Sequence, residues 1–449
     1  MRVLMIQTPS VEGIAQERVY PIGSVLLASC LQAHQHEVSI LDMNLELDPF
    51  GALKEKLLTF QPEAIGLSLR NIDPLGNKTT SLISPFIVTV QLITAILPDA
   101  WLIVGGTGFS LFPKRLMQEI PELDYGIVGE AEVSFPALLR SIDNPPSLPG
   151  LCWREGINVR VSPPAKNFDM ANYIPADRRL LDPELYKGIN NYVPTIGIEA
   201  KRGCALCCAY CVYPQLQGTR LRCRPATSVV DEMEILNKDY GIESFHFTDP
   251  VLNVPQGHLE GICEEILRRK LKIRWDGFMR EDHINEKNAA LFERAGCECF
   301  SFSPDGLCQD SLDVLCKNLT EGEILKAAGI VAQMDVISVY HFMVNVPGET
   351  KETCESGIRF VEQLYELHSK KKNLGTIVLN NIRILPGTRI ERMARAQGII
   401  TAETDLLYPT YYNPRPFDTF RYKLETLQQG KNVFMWQDVN CPAAKAGGL

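Results

Sequence analysis

The sequence has no apolar run long enough to cross a membrane, and its best candidate, residues 86–97, is interrupted by Gln91. It also has no excess of basic residues. The net charge is −9, from 45 Lys and Arg against 54 Asp and Glu, which argues against a nucleic-acid-binding protein. Residues 2–6 are too few for the apolar core of a secretory signal and predict a strand instead. We therefore expect a cytoplasmic globular protein without nucleic-acid or membrane partners.

The sequence also lacks the paired cysteine pattern of a small secreted protein. Its 14 cysteines are spread over 449 residues, and several stand alone, as thiols of a reducing compartment do. One group differs, because Cys204, Cys208 and Cys211 have the spacing CxxxCxxC. Three thiolates this close can bind three irons of a 4Fe–4S cluster and leave the fourth iron open for chemistry.

A structural zinc site is an alternative interpretation of this group. Together with Cys207, the three cysteines form two adjoining CxxC pairs, and zinc also binds four thiolates. Zinc sites usually separate their pairs by about a dozen residues or more, so abutting pairs do not favour zinc. We interpret Cys207 as a bystander, since the other three cysteines complete the iron–sulfur pattern without it.

Residues 1–141 alternate short aliphatic runs with helix-length segments. The runs predict five strands, at 3–6, 38–41, 64–68, 102–104 and 125–128. Such βαβ alternation predicts an α/β domain with a parallel sheet, which binds ligands at the carboxyl ends of its strands. Residues 142–192 contain seven prolines and predict a linker with a small hairpin.

The alternation resumes over residues 193–395. Six candidate strands lie at 195–200, 244–248, 273–275, 299–302, 339–344 and 376–380. Six units fit a partial (β/α)6 barrel better than a closed eight-unit TIM barrel. The cysteine group then follows the first barrel strand, at the face where such folds place their chemistry. Residues 396–449 predict a small irregular C-terminal region.

A dinucleotide-binding Rossmann site would place GxGxxG after the first strand, where this sequence has Gln7-Thr8-Pro9-Ser10. The glycine-rich segment, Gly105-Gly106-Thr107-Gly108, follows the fourth strand instead. Glycines there would let the backbone approach a phosphate-bearing group closely. The first domain is therefore expected to be flavodoxin-like rather than dinucleotide-binding.

With CxxxCxxC after the first strand of a six-unit barrel, and Tyr210 before the third cysteine, the sequence resembles the radical S-adenosylmethionine enzymes. Residues 342–350 and 384–388 resemble the later strand motifs of that family. The first domain resembles the cobalamin-binding domain of the cobalamin-dependent subfamily, the class B radical methyltransferases. The matching segments are 20–23, 66–71, 104–110 and 128–132.

The resemblance covers roughly residues 1 to 390 and implies three cofactors: a 4Fe–4S cluster, S-adenosylmethionine and cobalamin. It implies a small-molecule substrate, an external electron donor of the flavodoxin or ferredoxin type, and a monomer. The implied cluster ligands are Cys204, Cys208 and Cys211. The implied S-adenosylmethionine contacts are Tyr210, Ser303, Asp305, His341, Asn345 and the backbone around Leu385. The implied cobalamin contacts are Thr8, Ser68, Leu69, Arg70, Asn71, Gly105, Gly106, Thr107, Gly108, Ser110, Gly129 and Glu130.

One departure concerns the cobalt ligand. Many cobalamin domains carry Asp-x-His-x-x-Gly, whose histidine binds cobalt from below, and this sequence has no such motif. Cobalamin is therefore expected to bind without a protein histidine ligand. Arg70 stays protonated and cannot act as a ligand. A cation there would favour a cobalt that has given up its upper methyl group.

The implied activity is transfer of a methyl group from S-adenosylmethionine, by way of cobalamin, to a substrate carbon. Two variants stay open within the family: a polar arene C-methylation similar to that of tryptophan methyltransferases, and a cyclisation or rearrangement. A cobalamin or redox sensor is an alternative from another class, although no helix-turn-helix accompanies the cluster motif. Methylthiolation of tRNA or a ribosomal protein is disfavoured, because the first 150 residues contain only Cys30.

The substrate itself is not predicted. Candidate substrate or catalytic residues are Asp249 after the second barrel strand, Arg280 after the third, and Tyr411 in the C-terminal region. Asp249 has a structural cap as its alternative, and Arg280 an ordinary ion pair. The aromatic residues Tyr411, Tyr412, Phe417 and Trp436 are expected to form the core of a small cap rather than a pocket wall. Cys441 is interpreted as incidental.

Overall fold

Two sheets of mainly parallel strands form the framework of the chain. The computed structural model describes residues 1–10, 19–74, 80–145, 147–164, 168–188, 194–412 and 433–435. The first sheet consists of β1 Arg2–Gln7, β2 Glu37–Asp42, β3 Ala64–Ser68, β4 Trp101–Gly105, β5 Tyr125–Ile127, β6 Leu151–Glu155 and β7 Asn158–Val161. Its strand order is β2-β1-β3-β4-β5-β6-β7.

The first five strands are parallel, and their order is that of flavodoxin-like folds. This confirms the predicted class of the first domain. Strands β6 and β7 form an antiparallel hairpin that adds to the edge of this sheet beside β5. The small hairpin expected in the proline-rich segment therefore extends the first sheet.

Helices cover both faces of the first sheet, which is why its strands are nearly continuous aliphatic runs. These helices are α1 Ile22–Ala33, α2 Pro49–Phe60, α3 Ile83–Ile96, α4 Thr107–Leu111, α5 Pro113–Glu119 and α6 Ser134–Leu139. Helix α2 shows how the sequence sets a boundary. The Asp48 side chain accepts a hydrogen bond from the Gly51 N–H, and Pro49 occupies the first turn, where no amide hydrogen is needed.

Six successive parallel strands of the second sheet form the expected partial barrel. They are β8 Gly197–Ile198, β11 Ser244–Phe247, β12 Arg274–Met279, β13 Cys297–Asp305, β14 Ile337–Val344 and β15 Leu374–Arg383. Each pairs with the next in chain order. Two short strands, β16 Tyr411–Tyr412 and β17 Val433–Met435, pair with β15. A separate hairpin of β9 Lys201–Arg202 and β10 Arg222–Cys223 frames the cysteine loop.

The described part of the second half contains α7 Tyr213–Gln217, α8 Ala226–Tyr240, α9 His258–Arg269, α10 Glu286–Arg294, α11 Gln309–Val314, α12 Glu321–Val331, α13 Lys351–His368 and α14 Arg389–Ala396. Of these, α8, α9, α10, α12 and α13 pack side by side along the outside of the sheet. Several begin at side-chain caps. Thr320, for example, forms a capping box with Glu323 at the start of α12. Within the described residues, no helix is both long enough and apolar enough to cross a membrane.

One apolar core extends from the first sheet into the barrel through residues 168–188, and includes Val25, Tyr186 and Phe245. The Tyr186 hydroxyl donates to Asp42 Oδ2 at 2.5 Å, which fixes this segment to the end of β2. In the C-terminal region, Tyr411 and Tyr412 are buried in β16, consistent with the expected cap. Phe417, Trp436 and Cys441 lie outside the described residues.

Candidate functional site

The cysteine loop leaves the barrel through the β9–β10 hairpin. Gly203 begins the loop with a φ of +90°, and a Cβ atom there would lie 2.2 Å from the Arg220 carbonyl oxygen. Only glycine fits such a position without displacing backbone. The Cys204 N–H then donates to the Gly218 carbonyl at 3.1 Å. The first cysteine is thereby held at a defined place immediately after β9.

The three predicted ligands lie close to one another. Cys204 is buried, Cys208 and Cys211 are half-buried, and Cys207 is exposed. Burial raises the pKa of Cys208, and it raises that of Cys211 to about 12, with smaller increases from the neighbouring cysteine sulfurs. As thiolates these sulfurs therefore need a cationic partner, and the irons of a cluster would supply it. The donor set fits a cluster.

Within the described ranges, no three His, Cys, Asp or Glu side chains are grouped closely enough to bind one metal ion. A cubane cluster spreads its thiolates over several irons, so its ligands lie farther apart than those of a single ion.

Tyr210 connects the cysteine loop to a buried ion pair at the end of β13. Its hydroxyl donates to Asp305, and the Lys317 ammonium lies 2.6 Å from the same Asp305 oxygen. Burial alone would lower the pKa of Lys317, but the Asp305 carboxylate holds that pKa above its ordinary value. Asp305 itself has a left-handed φ of +63°. Its carboxylate meets the loop at the Tyr210 hydroxyl.

Further predicted S-adenosylmethionine contacts lie at neighbouring strand ends. Burial lowers the pKa of His341 on β14 to about 4, so its imidazole is neutral near pH 7. Asn345, with a φ of +56°, donates to the Asn381 side chain at 3.3 Å. Ser303 is half-buried on β13. The fold thus brings Ser303, Asp305, His341 and Asn345 to one side of the barrel mouth.

Some backbone N–H and carbonyl groups around Leu385 already form hydrogen bonds within the protein. The Leu385 carbonyl accepts from the Thr388 hydroxyl at 2.7 Å, because Thr388 caps helix α14. At Ile384, the N–H donates to the Thr410 carbonyl and the carbonyl accepts from Arg383. The predicted adenine contact of this segment stays a prediction, and this geometry does not favour Ile384 for it.

Two candidate substrate residues are held in structural contacts. Asp249 Oδ1 accepts from the N–H groups of Ala200 and Lys201, at 2.9 and 3.1 Å, which is the alternative role of a cap. The Arg280 guanidinium pairs with Asp282 at 2.9 Å and also donates to the carbonyls of Lys317 and Asn318. A substrate carboxylate would have to displace these partners. Tyr411 is buried in β16 beside the end of β15.

The first sheet has a cleft between the carboxyl ends of β1 and β3, where its strand order changes direction. Ligands of open α/β sheets bind at such points. Asn44 shapes the cleft by accepting from the Ser10 N–H at 2.7 Å and donating to the Thr8 carbonyl at 3.2 Å. The lining residues are Gln7, Thr8, Pro9, Ser10, Val19, Pro21, Asn44, Leu69, Arg70, Asn71 and Leu82.

The glycine-rich segment packs against the loop after β3. Gly106 has a φ of +102°, and a Cβ atom there would lie 2.6 Å from the Leu69 carbonyl oxygen. The Gly108 N–H donates to the Leu69 and Arg70 carbonyls at 3.0 and 2.8 Å, and the Thr107 hydroxyl donates to Arg70. These glycines therefore permit close approach of the protein's own backbone, a different role from the predicted approach to a phosphate-bearing group.

Gly129 and Glu130, two further predicted cobalamin contacts, differ in whether other residues already surround them. Gly129 has a φ of +81° and faces open space, and its N–H donates to the Ser110 hydroxyl. Glu130 is instead engaged by Arg222, at 2.7 Å, and by the Phe168 N–H at 2.6 Å. Its predicted contact with cobalamin stays a prediction that these bonds do not favour.

Glu130 belongs to an ion cluster between the first domain and the cysteine hairpin. Arg202 pairs with Glu132 at 2.6 Å and with Glu199 at 2.8 Å, while Arg222 pairs with Glu130. Both arginines are over nine-tenths buried. The sequence interpretation did not include them, although Arg202 immediately precedes the Gly203-Cys204 turn. They attach the hairpin that carries the cysteines to the carboxyl edge of the first sheet.

The carboxyl edges of the two sheets are also joined elsewhere. Arg383, at the end of β15, pairs with Asp73 at 2.7 Å, and helix α7 packs against helix α4. Tyr213, at the start of α7, is close enough to both Arg70 and Cys211 for each to influence its pKa, which burial raises. The cleft and the cysteine loop therefore face a common space.

Two family models match the sequence. The B12 binding domain model covers residues 14–139, and the radical SAM superfamily model covers residues 198–361. The chain belongs to the cobalamin-dependent radical S-adenosylmethionine enzymes. The first match contains seven of the eleven residues that line the cleft, and the second contains the cysteine loop and strands β11 to β14 of the partial barrel.

Relatives extend the family assignment. An uncharacterized methyltransferase of Pyrococcus horikoshii is 25% identical over 409 residues, covering 89% of this chain and 84% of that protein. An anaerobic magnesium-protoporphyrin IX monomethyl ester cyclase of Rubrivivax gelatinosus is 25% identical, covering 68% and 54%. The methyltransferase TsrM from Kitasatospora setae, solved with cobalamin and a [4Fe-4S] cluster bound, has a TM-score of 0.74 at 23% identity, covering 90% and 76%. The structural likeness confirms the fold.

Proposed function

We propose that the protein is a C-methyltransferase that moves a methyl group from S-adenosylmethionine, by way of cobalamin, to a carbon of a small-molecule substrate. The observation that carries this proposal is the joining of the two carboxyl edges. The Arg222–Glu130 and Arg383–Asp73 ion pairs, both at 2.7 Å, hold the cysteine loop opposite the cleft. Two cofactor sites that face one space suit a transfer between cofactors.

Cys204, Cys208 and Cys211 would hold the cluster, which would bind S-adenosylmethionine and supply the electron that activates it. The chain's own residues orient and enclose that cofactor. Asp305, fixed by Tyr210 and Lys317, and the neutral His341 offer hydrogen-bonding groups beside the loop. An external flavodoxin- or ferredoxin-type donor would supply the electron, and we propose that the enzyme acts as a monomer.

A polar variant of the transfer is favoured by Arg70. Its backbone carbonyl is held by Thr107 and Gly108, while its side chain is exposed at the cleft. A guanidinium at this position would offer no ligand to a bound cobalamin and would favour loss of its methyl group. In cobalamin-loaded protein, Arg70→Ala is expected to alter the visible spectrum. A spectrum identical to that of wild type would remove this role.

The proposal is tested by the fate of S-adenosylmethionine. Full-length protein, reconstituted anaerobically with iron and sulfide, would be incubated with cobalamin, reductant and S-adenosylmethionine, and the products identified by mass spectrometry. S-adenosylhomocysteine is expected, accompanied by 5′-deoxyadenosine if the substrate carbon is activated as a radical. 5′-Deoxyadenosine alone would support the cyclisation alternative and contradict methyl transfer. Absence of both products would favour a sensor.

A further inference from the structure

A histidine–aspartate pair lies on two neighbouring strands of the barrel. His246 on β11 is directly opposite Asp276 on β12 in the parallel register. The His246 Nδ1 atom lies 2.6 Å from Asp276 Oδ1. The Asp276 side chain is 7% exposed and the His246 side chain 18% exposed. The pair is therefore tight and inside the barrel wall, yet one ring edge of the histidine is accessible.

Strand alternation places this pair on the inner side of the barrel. Phe247 packs edge-on against Trp275 with ring centroids 5.7 Å apart, and Trp275 packs against Phe292 of helix α10 at 6.1 Å. These rings form the outer face, which the helices cover. Because neighbouring residues of a strand point to opposite faces, His246 and Asp276 face the lumen.

Aromatic rings connect the pair to the cofactor end of the barrel. Phe278, two residues beyond Asp276 on the same strand, meets the His246 ring at 6.3 Å and the His341 ring at 5.2 Å, both edge-on. His341 in turn lies within electrostatic reach of Asp305, the partner of Tyr210 in the cysteine loop. The lumen wall thus runs as a series of flat rings from the histidine–aspartate pair to the cysteine loop.

The pair also determines which proton the histidine carries. A carboxylate can only accept, so Nδ1 carries the hydrogen, and in the neutral form of the ring Nε2 then carries a lone pair. Across the described part of the chain, Nε2 makes no side-chain hydrogen bond and is not among the fully buried unpaired atoms. It therefore offers an accessible acceptor. A ligand in this lumen would match it with an N–H or O–H donor carried on a flat group.

We propose that His246 and Asp276 form a proton-accepting subsite for a flat substrate group that bears an N–H or O–H donor. This inference rests on the proposed function, and it names the substrate class. When an electrophilic methyl group replaces a hydrogen on a ring carbon, the new C–C bond uses a ring electron pair. The methyl donor keeps the pair of its broken bond, and one proton leaves the substrate.

The subsite provides a destination for a proton during that exchange. Nε2 takes the N–H or O–H proton, and the electron pair left on the heteroatom moves into the ring and makes its carbon more nucleophilic. Once the carbon-bound hydrogen has left as a proton, the heteroatom is protonated again. The net result is the release of one proton. Asp276 stabilises the imidazolium that forms meanwhile, as an orienting carboxylate does in a catalytic triad.

The test uses probe binding and needs no turnover. Full-length, cluster- and cobalamin-reconstituted protein would be titrated with indole, a ring donor, and with isoquinoline, a ring acceptor of similar size, by ligand-observed NMR at pH 8. Wild type is expected to bind indole about 3- to 10-fold more tightly, the worth of one hydrogen bond. Equal binding of the two probes by wild type, or preference for isoquinoline, would overturn the proposal.

Asp276→Asn changes the preference between the two probes only if the pair binds them, and not if its role is merely structural. The asparagine amide can donate to Nδ1, which transfers the ring hydrogen to Nε2 and turns the acceptor into a donor. The probe preference should then reverse in favour of isoquinoline, and an unchanged preference for indole would count against the subsite. Asp335→Asn makes the same chemical change in a side chain that is 81% exposed, and it should leave the preference as in wild type.

A second variant provides the test if Asp276→Asn does not fold. If Asp276→Asn loses its thermal unfolding transition, His246→Phe keeps a flat ring and removes the acceptor, so it should bind both probes equally. Retained preference for indole in His246→Phe would contradict the proposal. Formation of S-adenosylhomocysteine tests the proposed function separately. Protein that forms it without any probe preference refutes the subsite alone, whereas preference without that product refutes methyl transfer alone.

Discussion

The two carboxyl edges that face each other in this molecule are stabilised by different interactions: one by hydrogen bonds to backbone carbonyls, the other by a buried ion pair. At the edge of the first sheet, the loop of residues 69–71 is held through its carbonyl groups by Thr107 and Gly108, and the Arg70 side chain stays exposed. At the barrel edge, the Asp305 and Lys317 side chains are almost fully buried and bonded to each other. The stability of the first edge should therefore fall when a Cβ atom is added to a glycine, and that of the second edge when a buried charge is removed.

The largest effect is expected at the cysteine loop, where the barrel edge binds its cluster. Cys208→Ala should abolish cluster assembly, because two thiolates cannot hold three irons. Cys207→Ala is the matched control, since Cys207 is exposed and outside the CxxxCxxC pattern. Iron and sulfide analysis after anaerobic reconstitution separates them. Equal loss of iron in both variants would show that all four cysteines are ligands and would revive the zinc-like interpretation.

A buried charge at the barrel edge should matter more than an exposed one. Asp305→Asn leaves the buried Lys317 ammonium without its counter-charge and is expected to lower the unfolding free energy by about 3–5 kcal/mol. Asp335→Asn breaks the exposed pair with Lys371, whose side chains are 81% and 37% exposed, and should change it by less than about 1 kcal/mol. Denaturant unfolding measures both. Similar values would contradict the expected cost of a buried charge without its partner at the barrel edge.

Much of the fold followed from the sequence, because buried parallel strands are short aliphatic runs with a clear period. The length of β13 was underestimated, because the sequence predicted residues 299–302 and the strand spans Cys297–Asp305. Polar lumen-facing residues such as Ser303 interrupt the apolar pattern there. The candidate cluster ligands, Cys204, Cys208 and Cys211, were identified from their spacing alone. Contacts such as Arg222–Glu130 were not, since they join residues 92 positions apart and depend on how the two sheets dock.

The pH dependence of stability offers a third test of the barrel edge. Glu281 is 2% exposed, and burial raises its pKa from 4.5 to about 7. Since the folded state holds this proton more tightly than the unfolded chain, its contribution to stability is full below about pH 4.5 and is lost as pH rises to about 7. The rise in pKa corresponds to roughly 3 kcal/mol.

Glu281→Gln keeps a neutral side chain at every pH and so should not lose that contribution. Between about pH 4.5 and 7, wild type is expected to lose roughly 3 kcal/mol of unfolding free energy relative to this variant, and the difference should stay constant above that range. Denaturant unfolding over the pH series measures it. The exposed Glu55→Gln is the control, expected to change stability by less than about 0.5 kcal/mol throughout. Parallel curves for Glu281→Gln and wild type would contradict the burial argument.

The smallest effect is expected at the edge of the first sheet, where backbone segments pack closely. Gly106→Ala adds a Cβ atom 2.6 Å from the Leu69 carbonyl at a φ of +102°, and should lower the unfolding free energy by about 1–3 kcal/mol. It should also weaken cobalamin binding, because the loop beneath the cleft must move. Gly129→Ala has a φ of +81° but faces open space, so it isolates the cost of the dihedral angle alone. If both variants lose equal stability, close packing against the 69–71 loop is not what shapes this edge.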